Sequence, residues 1–462
     1  MAERAGRVRE PSPLIPWRLP SGRGATEQPN ATGDGDAPLT PRFWVMLVIT
    51  GVVTGLFADL MMLLLFTVQD LAYGYRTGGS FEEAVRHSGD LRRLAALLAA
   101  GVFGGIAWYL LRRFMPGAKT DLDDIVWRPG EKLSFRRSFL TGLISEVVVG
   151  LGASLGRENA PKLMGGASAS LLSGWAKLTP GQKRLLMACG AGAGFGAVYN
   201  VPLAGALFTA EVMLGTISLP VILPALACAG IATVTSWLYL PSHITYPGIP
   251  DYRLTLPLVI FSLIAGPLTG LIASGYIRLI GWVTYFQLTG WKSVAAQVGV
   301  MGILGVIGFG FPQLFGNGQD LAVDAFAGAG GFAVLIGLFL LKPLVTAACL
   351  GSGASGGLFT PTLATGAALG AAAGIAWSAA WPGSPVGAYA LVGAAAMMGA
   401  AMQAPLAALA MIQELTGEGY ALMIPLIAAT VLATIVARNI DGYSIYTARL
   451  RAAPAPPGTV NA

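Results

Sequence analysis

The sequence predicts an all-α integral membrane protein made of two repeated halves of broken, tilted helices. Three observations carry that prediction. Of 462 residues, 54% are hydrophobic and only 11% charged, whereas a soluble domain is about a quarter charged. Apolar runs of membrane-spanning length recur at 43–67, 94–111, 185–214, 256–283, 298–311 and 421–436. Several are longer or shorter than one regular span, and 63 glycines and 29 prolines punctuate them. Such interruptions point to re-entrant helices, which membranes tolerate only where protein or a cavity surrounds the irregular backbone.

In chain order, residues 1–41 form a Pro-, Gly- and Ser-rich tail expected to be mobile. Arg4, Arg7, Arg9, Arg18 and Arg23 lie in it and Arg42 follows, so the positive-inside tendency predicts a cytoplasmic N-terminus. No apolar core follows the early arginines, which excludes a secretory signal. The first membrane half spans 42–240, a connecting loop 241–253, the second half 254–450, and a short tail 451–462. The net charge of +6 lies in flanks and not in basic runs interleaved with aromatics, so the bilayer and not a nucleic acid is the implied partner. Cys189, Cys228 and Cys349 sit in apolar segments without metal-ligand spacing and are expected in the core. The two histidines, His87 and His243, fall in polar connections. No metal, cofactor or enzymatic activity is expected; a hydrolase using Ser154 or Ser168 would lack a base at membrane depth.

The strongest organisational signal is internal. Asn200-Val201-Pro202-Leu203-Ala204 is echoed by Gln403-Ala404-Pro405-Leu406-Ala407, each proline preceding a glutamate (Glu211, Glu414) by nine positions. Upstream, Pro161 and Pro361 stand 200 residues apart, and Pro202 and Pro405 stand 203 apart. Repeated halves with Gly/Pro-interrupted segments at matching positions point to a midplane site in a transport protein.

Within the first of these segments stands Glu158, flanked by Gly156 and Arg157 and followed by Pro161. A carboxylate at membrane depth is costly and marks, by default, a pathway for ions or protons. Pro161 suits the first turn of a helix, whose free N–H groups attract anions. The alternative is an ion pair, Arg157–Glu158 or interhelical, that holds two helices together.

Gly156-Arg157-Glu158, Gly356-Gly357-Leu358-Phe359-Thr360-Pro361, the paired Pro-Leu-Ala segments and Tyr446, in this order, resemble the CLC chloride channels and transporters over about residues 43–450. The resemblance is to bacterial members, because only about a dozen residues follow the last apolar element and the cytoplasmic nucleotide-binding pair of many eukaryotic relatives is not expected. It implies an inverted repeat of two halves and a homodimer of the bacterial inner membrane, each subunit with its own chloride pathway and with bound chloride as substrate. Residues 185–187 and 421–436 are candidate outer faces for such a dimer. By the same resemblance Glu158 is the gate, Gly156, Arg157 and Gly357 belong to the anion-binding motifs, the amides of Leu358 and Phe359 face the central anion, and the Tyr446 hydroxyl faces it from the cytoplasm.

The departures matter as much. By the resemblance the family's serine-bearing loop falls near Gly117–Asp121, with Ala118 as the counterpart of the serine; Thr120 offers a hydroxyl, and Lys119 reads as a solvated loop charge balanced by Asp121, Asp123 and Asp124. Asn159 and Ala160 replace the usual Gly-Pro after the gate. Val212 occupies the position of the second, proton-carrying glutamate of coupled members, so the sequence leans towards channel-like or weakly coupled flux, with the proton-coupled antiporter as the alternative. Glu211 resembles a structural glutamate. Glu146 is an unplaced carboxylate, expected to bond a neighbouring helix, with proton relay as the other reading.

Overall fold

The computed structural model describes residues 39–116, 126, 133–417 and 420–449. Residues 1–38, Ala118, Lys119, Thr120 and residues 450–462 lie outside the described residues, and the first helix begins at Pro41, within the stretch expected as a tail. The chain is nearly all helix. In the first half the helices are α1 (Pro41–Tyr73), α2 (Phe81–His87), α3 (Asp90–Phe114), α4 (Phe135–Gly150), α5 (Asn159–Trp175), α6 (Pro180–Tyr199), α7 (Pro202–Phe208) and α8 (Leu219–Ser236). A π-helical stretch, Thr209–Leu214, continues α7. The second half holds α9 (Leu256–Tyr285), α10 (Trp291–Ile307), α11 (Gln319–Phe326), α12 (Phe332–Gly351), α13 (Phe359–Ala380), α14 (Val386–Met402), α15 (Pro405–Thr416) and α16 (Met423–Ile440). Seven of them are long and apolar enough to cross a membrane.

Local chemistry sets the breaks. The apolar run 185–214 is one segment by composition, yet α6 stops at Tyr199 because Asn200 takes a left-handed φ of 55° and Pro202 opens α7. The second half repeats this: Gln403 also has φ 55°, and Pro405 opens α15. Non-glycine residues rarely adopt that conformation, so its recurrence 203 residues on places the repeat in the backbone itself. Helices α5 and α6 cross in close contact, as do α13 and α14. A Cβ on Gly165 would fall 1.9 Å from the Gly190 carbonyl oxygen, and one on Gly393 would fall 2.5 Å from that of Gly366.

The repeat is inverted. α3 begins where α1 ends, Arg92 Nε donating to the Ala72 carbonyl at 2.6 Å, so its last turn returns to the side on which α1 starts. There the Arg112 side chain meets Gly353, just beyond α12, at 2.8 Å. The equivalent helix α4 ends on the opposite side, where the Tyr73 hydroxyl donates to Leu151 at 2.7 Å. Equivalent helices thus run in opposite directions, and the segments that follow each turn back to meet at Gly156 and Gly357.

Two reciprocal caps bind the halves. Glu414 accepts from the amides of Leu203 and Ala204 at 3.0 and 2.7 Å, and Glu211 accepts from Leu406 and Ala407 at 3.2 and 2.7 Å. Because proline occupies the first position of α7 and of α15, the next two amides are the free donors, and a carboxylate is the best acceptor for them.

One expectation fails here. Leu185, Leu186 and Met187 are buried inside the subunit, because α6 is enclosed by α1, α5, α7 and α8, so 185–187 offers no outer face. Ile424, Ile427, Val431 and Ile435 of α16 do point outward.

Candidate functional site

Glu158 is the N-cap residue of α5, and its carboxylate bonds to both halves. Oε1 accepts from the Phe359 amide at 2.9 Å, at the first position of α13. Oε2 accepts from the Tyr199 hydroxyl at 2.9 Å. That hydroxyl lies 2.5 Å from Thr360 Oγ1; since its one proton goes to Glu158, Thr360 is the donor in the second contact. The side chain is only 3% exposed.

The two loops that carry the motifs pair with each other. Gly156 N donates to Gly357 O at 2.7 Å and Gly357 N to Gly156 O at 2.8 Å, an isolated antiparallel bridge. Glu158 lies directly on this bridge. A Cβ on Gly357 would fall 1.9 Å from Oε1 and one on Gly156 2.2 Å from Oε2. Glycine is therefore required at both positions for the carboxylate to reach the α13 N-terminus.

An aromatic chain leads from this point to Tyr446. Phe359 meets Phe195 edge-on at 4.8 Å between centroids, Phe195 stacks on Phe208 at 4.7 Å, and Phe208 meets Tyr446 edge-on at 5.7 Å. Tyr446 is 5% exposed, and Lys162 Nζ stands 5.0 Å from its ring centroid. Val212, one turn beyond Phe208 in the π-helical stretch, is buried.

Glu158, Phe359 and the two glycines are thus brought together, and Leu358 caps α13 beside them. Arg157 goes elsewhere: its guanidinium lies over the rings of Tyr199 and Phe66, at 5.1 and 6.0 Å. It forms no ion pair with Glu158, so the Arg157–Glu158 form of the ion-pair alternative does not hold. Glu146 departs from expectation as well. It is fully buried, and neither carboxylate oxygen has a hydrogen-bond partner, so it bonds no neighbouring helix. Its face of α4 is marked by Gly142, against Met61 and Ala160, and by Gly150, against Val68, so it looks into the seam with α1 and α5. Arg157 and Glu158 are the charges within its electrostatic reach. Ala118 falls outside the described residues.

Sequence reasoning missed Tyr199, Thr360 and Lys162. Each differs in kind from its repeat counterpart (Met402, Ala160 and Thr362), and a lysine within an apolar helix is itself a signal.

Residues 103–438 match the family described as "Voltage gated chloride channel". The chain is 31% identical over 382 residues to the voltage-gated ClC-type chloride channel ClcB of Escherichia coli strain SMS-3-5 / SECEC, covering 80% of this chain and 89% of that one. The same figures hold for ClcB of strain K12 / DH10B. Among solved structures it is similar to a slow cyanobacterial Cl⁻/H⁺ antiporter, with TM-score 0.77 and 24% identity, covering 88% of this chain and 97% of that one. A CLC-type fluoride/proton antiporter gives TM-score 0.70 and 22% identity over 88% and 97% of the two chains.

Proposed function

Since this chain belongs to the voltage-gated chloride channel family, we propose that it carries chloride through each subunit along a path gated by Glu158. One observation carries the reading: the Glu158 carboxylate holds the Phe359 amide at the N-terminus of α13, the place where backbone dipoles favour an anion. While it is ionised it competes with chloride for that place. Protonation removes its charge and weakens its hold, so acid favours opening.

Flux is channel-like or weakly proton-coupled, because Val212 can neither bind nor pass a proton. A chloride-efflux assay in proteoliposomes with simultaneous external pH recording tests this: chloride release without uphill proton movement supports it, and robust uphill proton pumping refutes it. The second reading, a chloride/proton antiporter, is favoured by one observation, the buried, unpartnered Glu146, whose charge acts on that of Glu158.

Sidedness follows from charge. Arg42, Arg112, Arg113, Arg136, Arg137 and Arg184 gather at the end of the molecule where α1 and α6 begin; Gln182 Nε2 donates to Thr40 there at 3.3 Å. At the other end Arg76, Arg86 and Arg92 mix with Glu82, Glu83, Asp90 and Asp320. The first end is the cytoplasmic one by the positive-inside tendency, in the inner membrane of a bacterium. The protein is a homodimer, and the outward side chains of α16 form part of the contact. Crosslinking in mild detergent that yields monomers at every concentration overturns the dimer.

A further inference from the structure

Two side-chain hydroxyls stand at the place of the Glu158 carboxylate, and gating alone gives neither a role towards the anion. The Tyr199 hydroxyl donates to Glu158 Oε2 at 2.9 Å and lies 2.5 Å from Thr360 Oγ1. Both residues are fully buried. The repeat offers no hydroxyl at either equivalent place, where Met402 stands for Tyr199 and Ala160 for Thr360. The pair therefore belongs to one side of the pathway and is not a by-product of the repeated backbone.

The fold holds this phenol still. Tyr199 is the last residue of α6, which ends there because Asn200 turns into the left-handed region. The Asn200 side chain donates to the His243 carbonyl at 3.0 Å and accepts from Trp237 Nε1 at 2.9 Å. The Tyr199 carbonyl in turn accepts from Thr245 Oγ1. The ring packs against Phe195 and Phe359, at 5.7 and 5.5 Å between centroids. A ligand locked by packing and by a second layer of bonds keeps its geometry. The Arg157 guanidinium, 5.1 Å from the ring centroid, is held by the π face and polarises the phenol, which strengthens its O–H as a donor.

The proton count decides what this hydroxyl does. A phenol has one proton. With Glu158 in place that proton goes to Oε2, and Thr360 donates to the phenol oxygen. Once the carboxylate leaves, the phenol O–H still faces the place of Oε2 and the Phe359 amide faces the place of Oε1. A monatomic anion seated between those two positions meets both donors. With the place vacant, the phenol proton can turn to Thr360 Oγ1, so no buried donor is orphaned and the anion is held weakly enough to leave.

We propose that the Tyr199 hydroxyl, oriented by Thr360, is a direct ligand of the transported anion and the group that favours chloride over larger, weakly hydrated anions. This role rests on the anion-transport reading of the Glu158 site and adds to it a ligand and a basis for choice. A fixed O–H donor gives most to an anion of concentrated charge, because attraction falls with the distance between charges. Where donors are few or weak, the cost of shedding water decides, and a large anion such as thiocyanate sheds it cheaply.

Both readouts use a Glu158→Ala background, in which no carboxylate competes for the place and the hold of Tyr199 on the gate plays no part. Calorimetric titration of the purified full-length protein with sodium chloride should show Tyr199→Phe raising the Kd about fivefold, the loss of one hydrogen bond to a charged group. In proteoliposomes the same substitution should lower the chloride-to-thiocyanate permeability ratio about fivefold. Thr360→Val, which leaves the phenol proton free to turn, should move both readouts the same way by about twofold; Thr360→Ser should move neither. If Tyr199→Phe fails to fold, Thr360→Val carries the test. A substitution that only loosened the packing would change both anions alike and leave the ratio where it was, and that result overturns the proposal. An unchanged Kd and ratio in Tyr199→Phe overturn it too, while leaving the gate intact. A Glu158→Ala protein that binds chloride through Tyr199 yet passes none overturns the transport reading and keeps the ligand.

Discussion

At the start of α7 two amides donate to Glu414, and at the start of α15 two amides donate to Glu211. Here the halves mirror each other to within a few tenths of an ångström. At the starts of α5 and α13 they do not. One N-cap is Glu158, and its counterpart is Leu358; Lys162 faces Thr362, and Tyr199 faces Met402. At the starts of α7 and α15 the backbone is symmetric too, since Asn200 and Gln403 share one unusual φ. What separates the two regions is side-chain charge. The symmetric carboxylates hold the halves together, whereas the residues that break the symmetry surround the place where an anion would pass. On the proposed function, an internal repeat thus marks its candidate functional residues by exception.

The largest effect should come from the symmetric pair. Glu211→Ala and Glu414→Ala each orphan two amides and a helix N-terminus, at roughly 2–3 kcal/mol for the lost charge-assisted bonds. Thermal unfolding of the purified protein in detergent should show the two variants destabilised by amounts within about 1 kcal/mol of each other. A large loss in one with none in the other would break the mirror reading of this region.

Glu158→Gln tests the asymmetric region. A neutral side chain competes poorly for the α13 N-terminus, so chloride flux at neutral pH should rise roughly tenfold, and its acid stimulation should flatten. The sign follows from charge alone: wild type should open as pH falls, because protonation would do what the substitution does permanently. Flux in proteoliposomes that stays at the wild-type level from acidic to neutral pH would remove Glu158 from the gate.

How much of this was legible beforehand differs between the regions for a physical reason. The repeat showed through Pro161, Pro361, Pro202 and Pro405 because proline acts on the local backbone, and local effects are written in local sequence. The apolar stretches that became α1, α3, α9 and α16 were visible because each is a continuous run facing lipid or apolar protein. The division of 185–214 into α6 and α7 was hidden in composition, since Asn200 is one polar residue in an apolar run. The partners of Glu158 were hidden more deeply. Tyr199 and Phe359 reach it from 41 and 201 residues away, and only the inverted packing brings them together. For the same reason 185–187 looked like an outer face: its apolar character is real, but apolar residues inside a membrane protein and on its lipid surface have the same composition.

Tyr199→Phe should give a smaller effect of the same sign as Glu158→Gln. It removes one of the two bonds that hold the carboxylate, at about 1 kcal/mol, so flux at neutral pH should rise about fivefold with acid stimulation retained. Met402→Leu, at the equivalent place in the other half, should be silent. Equal effects from the two substitutions in a matched flux assay would mean that the asymmetry is not what matters.

The smallest effect is expected at Glu146, and it decides the coupling. Its carboxylate has no hydrogen-bond partner, so Glu146→Gln breaks no bond within the fold and replaces an ionisable group by a neutral one of the same shape. Unfolding temperature should hold or rise slightly, since an unpaired buried ionisable group costs stability. Chloride flux should also hold, because Glu146 touches neither the Gly156–Gly357 bridge nor the Phe359 amide. Proton movement is the discriminating readout. A proton crossing the protein needs successive groups that bind and release it; Val212 is not one, and Glu146 is a buried carboxylate whose charge acts on that of Glu158. If wild type drives no uphill proton movement under a chloride gradient, the variant should look identical, and Glu146 is a bystander to passive flux. If wild type does pump and Glu146→Gln stops it while chloride still flows, Glu146 is the bypass around Val212 and the protein is an antiporter. Pumping retained in the variant would refute passive flux just as firmly and exclude Glu146 from the proton's route.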